Sequence, residues 1–258
     1  MAKKEIVVIG GGSGAGMIHN LLPNIDPTRH NVTLISPHPF SIYYLATARL
    51  TVTPEGALEE SALIPFDGLI KRGMRFIQGR VDRVLDPIVM LESGESVKYD
   101  YLVVATGSTW EGPIGFPDGD APAKEHIRSW RNKFASASSV IVVGGGAVGI
   151  GASIFVSPPR SMMHLFLLEL ACEVKHFYPK TNVTIVHASN LLMNDTYSTS
   201  FRESLNSRVK QHGVRLILGD RLNIPPEGQT RATTSNGVVM EADVFVRMNP
   251  YNSKCVLG

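Results

Sequence analysis

The chain has 258 residues, 43% of them apolar and 19% charged, enough for one large or two small domains around a sizeable core. Its 25 Lys and Arg against 23 Asp and Glu leave a formal net charge of +2 with no basic run, which argues against a nucleic-acid partner. Cys172 and Cys255 stand far apart and are the whole cysteine complement, excluding a disulfide framework and a CxxC pair for dithiol chemistry or zinc.

The N-terminus enters an apolar strand at once, EIVVIG at 5–10, so no secretory signal is read there. Ala2 rules out N-myristoylation. Glycines and a short helical stretch, MIHNLLP, come next, and NVTLIS at 31–36 is a second buried strand. The stretches MRFIQGRVDRVL, IVMLESG and SVKYDYLVVATG read as a small antiparallel section returning to the core. A Gly-, Pro- and Asp-rich segment, 108–125, is the expected boundary. Beyond it SSVIVVGGG at 138–146 repeats the opening strand, and NVTIVH at 182–187 repeats NVTLIS. FRESLNSRVKQHG has helical spacing and a Gly stop, and VRLILGDRL and VVMEADVFV close the pattern with strands. The longest apolar run, MMHLFLLELACEV, holds His164 and Glu169 and is too short for a bilayer. The expectation is a soluble, cytosolic chain with no stable membrane span.

Strand, glycine turn, helix, strand thus occurs twice. The predicted fold is α/β with two Rossmann-like dinucleotide-binding units. Residues 10–15, GGGSGA, fit G-x-G-x-x-G/A. Gly10 allows the tight turn, Gly12 lets a pyrophosphate approach the backbone, and Ala15 is small enough for close helix–strand packing. Ser13 and Gly14 complete this first cradle. The acid that holds a ribose is expected at the end of the second strand, where this chain has Ser36, a weaker clamp.

The second cradle, Gly144 to Gly149, matches fully through Gly144, Gly146 and Gly149. Its strand-end residue is His187, 43 residues after Gly144, whereas Ser36 follows Gly10 by 26. Removing the 18 residues 151–168 reduces 43 to 25 and makes the units match to within one residue. The segment 151–168 therefore reads as an insertion, extra sequence such as an intron translated in frame. Pro158 and Pro159 lie within it, and a helix is expected to restart there, capped by Ser157 and running over 158–177. His187 could partner either a free 2′-hydroxyl or a 2′-phosphate, or be a strand-end histidine with no ligand role, so little discrimination between NADH and NADPH is expected. The histidines show no HxH or HxxxH spacing, and no metal site is expected.

VVIGGGSGAG, YDYLVVATGS and VIVVGGGAVG occur in the order of the two-dinucleotide-binding-domain flavoproteins, which the chain resembles over about residues 4–246. LISPHPFSIYYLATARL, ELACEVKHFYPKTNVTIVH and VKQHGVRLILGDRL are similar to the apoptosis-inducing-factor-like branch, which includes ferroptosis-suppressor-type NAD(P)H:quinone reductases.

The resemblance implies an FAD domain over 1–108 and an NAD(P) domain over 109–246. FAD phosphates would lie at Gly10, Gly12, Ser13 and Gly14, with Ser36 and Pro37 by the adenosine ribose. Arg49 would lie near the flavin side, unless it is a surface arginine. Val81 would contact adenine through its backbone, unless it is an ordinary strand valine. Ala105, Thr106 and Gly107 would pass close to the cofactor. It implies an FAD-dependent oxidoreductase that takes hydride from NAD(P)H and, lacking a dithiol relay, passes electrons to a quinone-like small acceptor. No catalytic acid, base or nucleophile is expected, since flavin carries the chemistry. The family pattern would continue past 246, so 247–258 is expected to be an aberrant tail, with the rest of the FAD domain and the interface domain missing. The alternative is a truncated nucleotide-binding fragment without activity.

Overall fold

The computed structural model describes residues 2–107, 109–144, 160–223, 225–226, 228–247 and 250–251. Two parallel four-stranded sheets organise them. In the first, Lys4–Ile9 (β1), His30–Ser36 (β2), Arg75–Gln78 (β3) and Tyr101–Val104 (β4) lie in the order β3-β2-β1-β4. In the second, Ser139–Val143 (β5), Asn182–His187 (β6), Arg215–Leu218 (β7) and Val244–Val246 (β8) lie in the order β7-β6-β5-β8. Each half also carries a three-stranded antiparallel section between its third and fourth parallel strands, 81–98 in one and 222–241 in the other. The expected α/β architecture with two similar units is therefore present.

The register makes the repeat specific. Ile9 pairs with Ile35 across β1 and β2, and Val143 with Val186 across β5 and β6. Ser36 and His187 thus occupy equivalent strand ends. The central strands are continuous apolar runs because helices or loops cover both faces of such sheets; Val7, Val8, Val140, Val142 and Ile185 are all buried. Each unit is closed at its opposite end by an aspartate. Asp100 accepts the Glu5 amide at 2.8 Å, and Asp243 accepts the Ser138 and Ser139 amides at 2.8 and 2.9 Å. Those bonds to the ionised form hold both carboxyls below their ordinary pKa, with the Lys4 ammonium contributing first for Asp100.

Among the helices that accompany the sheets are Ser13–Leu21 (α1), Thr47–Leu50 (α2), Asp120–Ser136 (α3), Arg160–Phe177 (α4) and Thr199–Gln211 (α5). The 17-residue helix α3 is absent from the sequence expectations, which read its first turn as part of a boundary loop. It buries Ala123, Ile127, Arg131 and Phe134, four residues on one helical face. The helix expected over 158–177 is observed from Arg160, and Ser157 to Pro159 lie outside the described residues. Leu167 and Leu168, the last two residues of the expected insertion, are 1% and 4% exposed, so its C-terminal edge is part of the core.

That core crosses between the halves. Ala48 and Val52 pack in one cluster with Phe134, Val140, Val142, Leu170, Val174 and Ile185. The first sheet has its own clusters on either face, one around Ile18, Leu34 and Phe66 and one around Val7, Ile35 and Val89.

Candidate functional site

β1 ends in a turn whose glycines each meet a different requirement. Gly10 has φ +119°, donates its N–H to the Ile35 carbonyl at 2.9 Å, and presses against Ala105, whose carbonyl oxygen a Cβ would overlap. A Cβ on Gly11 would overlap the Ser36 hydroxyl, and one on Gly14 would stand 2.9 Å from Val8 Cγ1. The close helix–strand approach expected at Ala15 is therefore set first by Gly14, with Ala15 buried beside it. Gly12 differs from the others: a Cβ there would meet nothing within 4 Å.

Gly12 is also the N-cap of α1, with no side-chain cap and no acidic residue in the first turn. The leading N–H groups of a helix have no intrahelical partner and carry the positive end of its dipole. Open space, uncapped amides and the absence of negative charge suit an anion, so the first cradle fits the pyrophosphate of a dinucleotide. Ser13 opens the helix at the same point. The ATG segment closes one side of the cradle, with the Ala105 amide bonded to the Ile9 carbonyl at 2.8 Å and Thr106 and Gly107 exposed beside it.

The strand-end residues sit as the repeat requires, but Ser36 faces inward. It is 2% exposed, and its hydroxyl accepts the His38 amide at 3.3 Å while lying behind Gly11. Pro37 accepts a bond from Gln78 Nε2 at 3.2 Å, and Gln78 is paired in register with Ser36. Val81 opens the adjoining antiparallel section three residues later. Sequence reasoning missed the groups that wall this end. Arg80 makes a two-pronged pair with Asp118, one arm at 2.7 Å, and the His38 ring stacks on Phe40 with centroids 5.5 Å apart. Burial holds His38 below the usual histidine pKa, against the pull of Asp118. The Asp118 partnership spans 38 residues and leaves no local signal.

Arg49 lies elsewhere than on the open cradle. Its Nε and Nη2 donate to the two Glu173 carboxylate oxygens on α4 at 2.9 and 2.8 Å, and its guanidinium lies 5.8 Å from the Phe177 ring centroid. Glu169, one turn before Glu173, is raised above the ordinary carboxylate pKa by burial and by Glu173. Burial likewise raises the Cys172 thiol. The seam between α2 and α4 is thus a charged cluster around Arg49, assembled by residues 124 apart in sequence.

In the second unit, Gly144 repeats Gly10, with φ +112° and its N–H on the Val186 carbonyl at 2.8 Å. His187 ends β6, half-buried, with its carbonyl accepting the Asp220 amide at 3.2 Å. Gly146 and Gly149 lie outside the described residues. Among the described residues there is no cluster of His, Cys, Asp and Glu that could hold a metal ion, and no helix is long and apolar enough to cross a membrane.

Two nucleotide-type units joined by a return segment set the family, and residues 4–248 match the pyridine nucleotide-disulphide oxidoreductases. The chain belongs to that family. These are oxidoreductases that bind FAD and NAD(P)H. This member of the pyridine nucleotide-disulphide oxidoreductases is 34% identical over 205 residues to the FAD-dependent oxidoreductase FVFD30 of Flammulina velutipes, covering 76% of this chain and 58% of that protein. It is 29% identical over 268 residues to apoptosis-inducing factor homolog B of Dictyostelium discoideum, covering 95% of this chain and 63% of that protein. The chain thus spans about three fifths of the length of these relatives. Among solved structures, reduced Bacillus anthracis CoADR-RHD shares the fold with a TM-score of 0.73 at 15% identity, covering 98% of this chain and 45% of that one.

Proposed function

We propose that the protein is an FAD-dependent oxidoreductase that takes hydride from NAD(P)H and passes electrons to a small quinone-like acceptor. The observation that carries the reading is the Gly10–Gly12 turn opening directly onto the uncapped N-terminus of α1, with Ala105 closing its side. In this reading residues 1–108 form the FAD unit and 109–246 the NAD(P) unit. Gly10, Gly12, Ser13, Gly14 and Ala15 hold the pyrophosphate, while Ser36, Pro37 and Val81 line the adenosine end. Ala105, Thr106 and Gly107 run beside the cofactor, Arg49 fixes the seam on its flavin side, and Gly144, Gly146, Gly149 and His187 serve the pyridine nucleotide.

Bound FAD supplies a two-electron acceptor, so the chain has to position and shield the reactants rather than carry out acid–base chemistry. The acceptor is inferred from the cysteines. With Cys172 and Cys255 as the only two, 83 positions apart and outside any CxxC, electrons leaving the flavin have no paired-thiol relay to enter. A direct, small oxidant is left.

A second reading is a nucleotide-binding chain without turnover. One measurement separates the two. Purified protein is titrated with FAD, and its visible spectrum and NAD(P)H:quinone turnover are recorded. A yellow protein with turnover supports the enzyme; a yellow protein without it supports the second reading; a colourless protein that takes up no FAD eliminates the enzyme.

A further inference from the structure

A dinucleotide-binding unit places an acid at the end of its second strand to hold the adenosine ribose, and the first unit has none there. Ser36 ends β2, and its hydroxyl lies behind Gly11, where it accepts the His38 amide at 3.3 Å. At 2% exposure it does not face a ligand. Pro37 adds no polar side chain, and its carbonyl already accepts Gln78 Nε2 at 3.2 Å. The 2′- and 3′-hydroxyls of a ribose laid across this end therefore meet no carboxylate from β2.

A carboxylate reaches the same place from another part of the chain. The Gly79 amide bonds the Ser36 carbonyl at 3.0 Å, which sets Arg80 next to the end of β2. Arg80 holds Asp118 with two arms, Nη2 donating to Oδ1 at 2.7 Å and Nε to Oδ2. The Asp118 charge also acts on the ring of His38, two residues past Ser36. Asp118 thus stands at the ends of β2 and β3 while belonging to neither strand. Its own segment is anchored from the other side. Phe116 packs against the Tyr44 ring and the His126 ring of α3, with centroids 6.4 and 5.4 Å away, and α3 begins two residues after Asp118.

The chemistry of the pair suits a diol. An ionised carboxylate has about four acceptor positions, and a two-pronged arginine takes two of them. Two remain for a pair of adjacent hydroxyls, and the Asp118 side chain is 36% exposed, so the arginine does not seal it. Pairing with Arg80 also offsets the negative charge that a bare carboxylate would set against the pyrophosphate of the same ligand. Glu92 adds only a weaker pull of charge on Arg80.

We propose that Asp118, held by Arg80, is the ribose-binding acid of the first cradle, supplied by the segment between the two units because Ser36 is turned away. The adenosine end of the dinucleotide is then closed by a residue that α3 positions, and binding there ties the first unit to the start of the second. The inference rests on reading residues 1–108 as the FAD unit, and the test keeps the two apart.

The full chain is titrated with FAD by flavin fluorescence, and ADP or 2′-deoxy-ADP is then used to displace it, which confines the readout to the first cradle. The parent should prefer ADP over 2′-deoxy-ADP by about tenfold, the scale of one hydrogen bond to a charged group. In Asp118→Ala that preference should vanish and FAD affinity should fall by about tenfold or more, with the circular dichroism unchanged. Glu92→Gln, the control, should behave as the parent does. A preference that survives Asp118→Ala, or one that vanishes equally in Glu92→Gln, overturns the assignment and leaves the FAD reading standing. So does a parent that binds ADP and 2′-deoxy-ADP alike. A parent that takes up no FAD removes the FAD reading and the assignment with it. Should Asp118→Ala fail to fold, Asp118→Asn keeps the shape, loses the charge and is read in the same way.

Discussion

Gly10 and Gly12 are both motif glycines, yet their surroundings make opposite demands. Gly10 combines φ +119° with a backbone oxygen where a side chain would begin, so Gly10→Ala incurs both a left-handed strain and a clash that Ala105 cannot relieve without moving β4. We expect it to destabilise the fold by about 2–4 kcal/mol in chemical denaturation. At Gly12 nothing stands within 4 Å, so Gly12→Val should lower stability far less while abolishing FAD uptake, because the added carbons fill the space the pyrophosphate needs. Equal losses of stability for the two would show that Gly12 is structural and remove the cradle assignment. The tight turn at Gly10 was legible because the motif is local. The role of Gly11 was not, since its constraint comes from the Ser36 hydroxyl 25 positions away, and neither was the engagement of Arg49 with Glu173. Contacts that distant have no period to read.

α2 has four residues and would not be stable alone, so its position has to be imposed by others. Three partners impose it. Arg131, 9% exposed on α3, donates to the Leu50 carbonyl at 2.9 Å and to both Glu59 oxygens at 3.0 and 2.8 Å. Tyr178 donates to the Val52 carbonyl at 2.9 Å, and Glu173 holds Arg49. Glu59→Gln leaves the buried guanidinium without its counter-charge; because Glu59 itself is about a third exposed, the expected cost is roughly 1–3 kcal/mol at pH 7. The pH dependence gives a second check. The hydrogen bond from Arg131 holds the Glu59 carboxyl below its ordinary value of 4.5, so its contribution is fully present above that value and disappears as pH falls through the lower folded-state value. Glu59→Gln should therefore lose stability at pH 7 and show a flatter decline below pH 4.5 than the parent. A parallel decline would mean the pair contributes nothing through ionisation. The sequence hid this arrangement because Asp120 to Ser136 carries a buried arginine on the face that would otherwise have read as apolar. Its helical period was interrupted at the residue that does the anchoring.

At the scale of the whole molecule, the repeat was legible and the joint was not. NVTLIS and NVTIVH fix equivalent strands because buried parallel strands share one composition, and Asp100 and Asp243 close both units in the same way. Nothing in either unit announces that Ala48 and Val52 of the first half pack into the cluster built on Phe134, Val140 and Val174 of the second. That shared cluster has a thermodynamic consequence. Were the halves independent, unfolding would occur in two steps, and FAD bound to the first cradle would protect only the first half. With one core spanning both, loss of the seam exposes apolar surface in each half, and the two should unfold together. Trp110 and Trp130 both pack against the shared cluster and report on it, whereas far-UV circular dichroism reports on both sheets. In urea the two probes should give superimposable transitions, and saturating FAD should raise both midpoints equally, by mass action. A tryptophan transition that FAD leaves in place while the dichroism midpoint rises would show the halves to be uncoupled, and would relegate the α2–α4 seam to a surface contact.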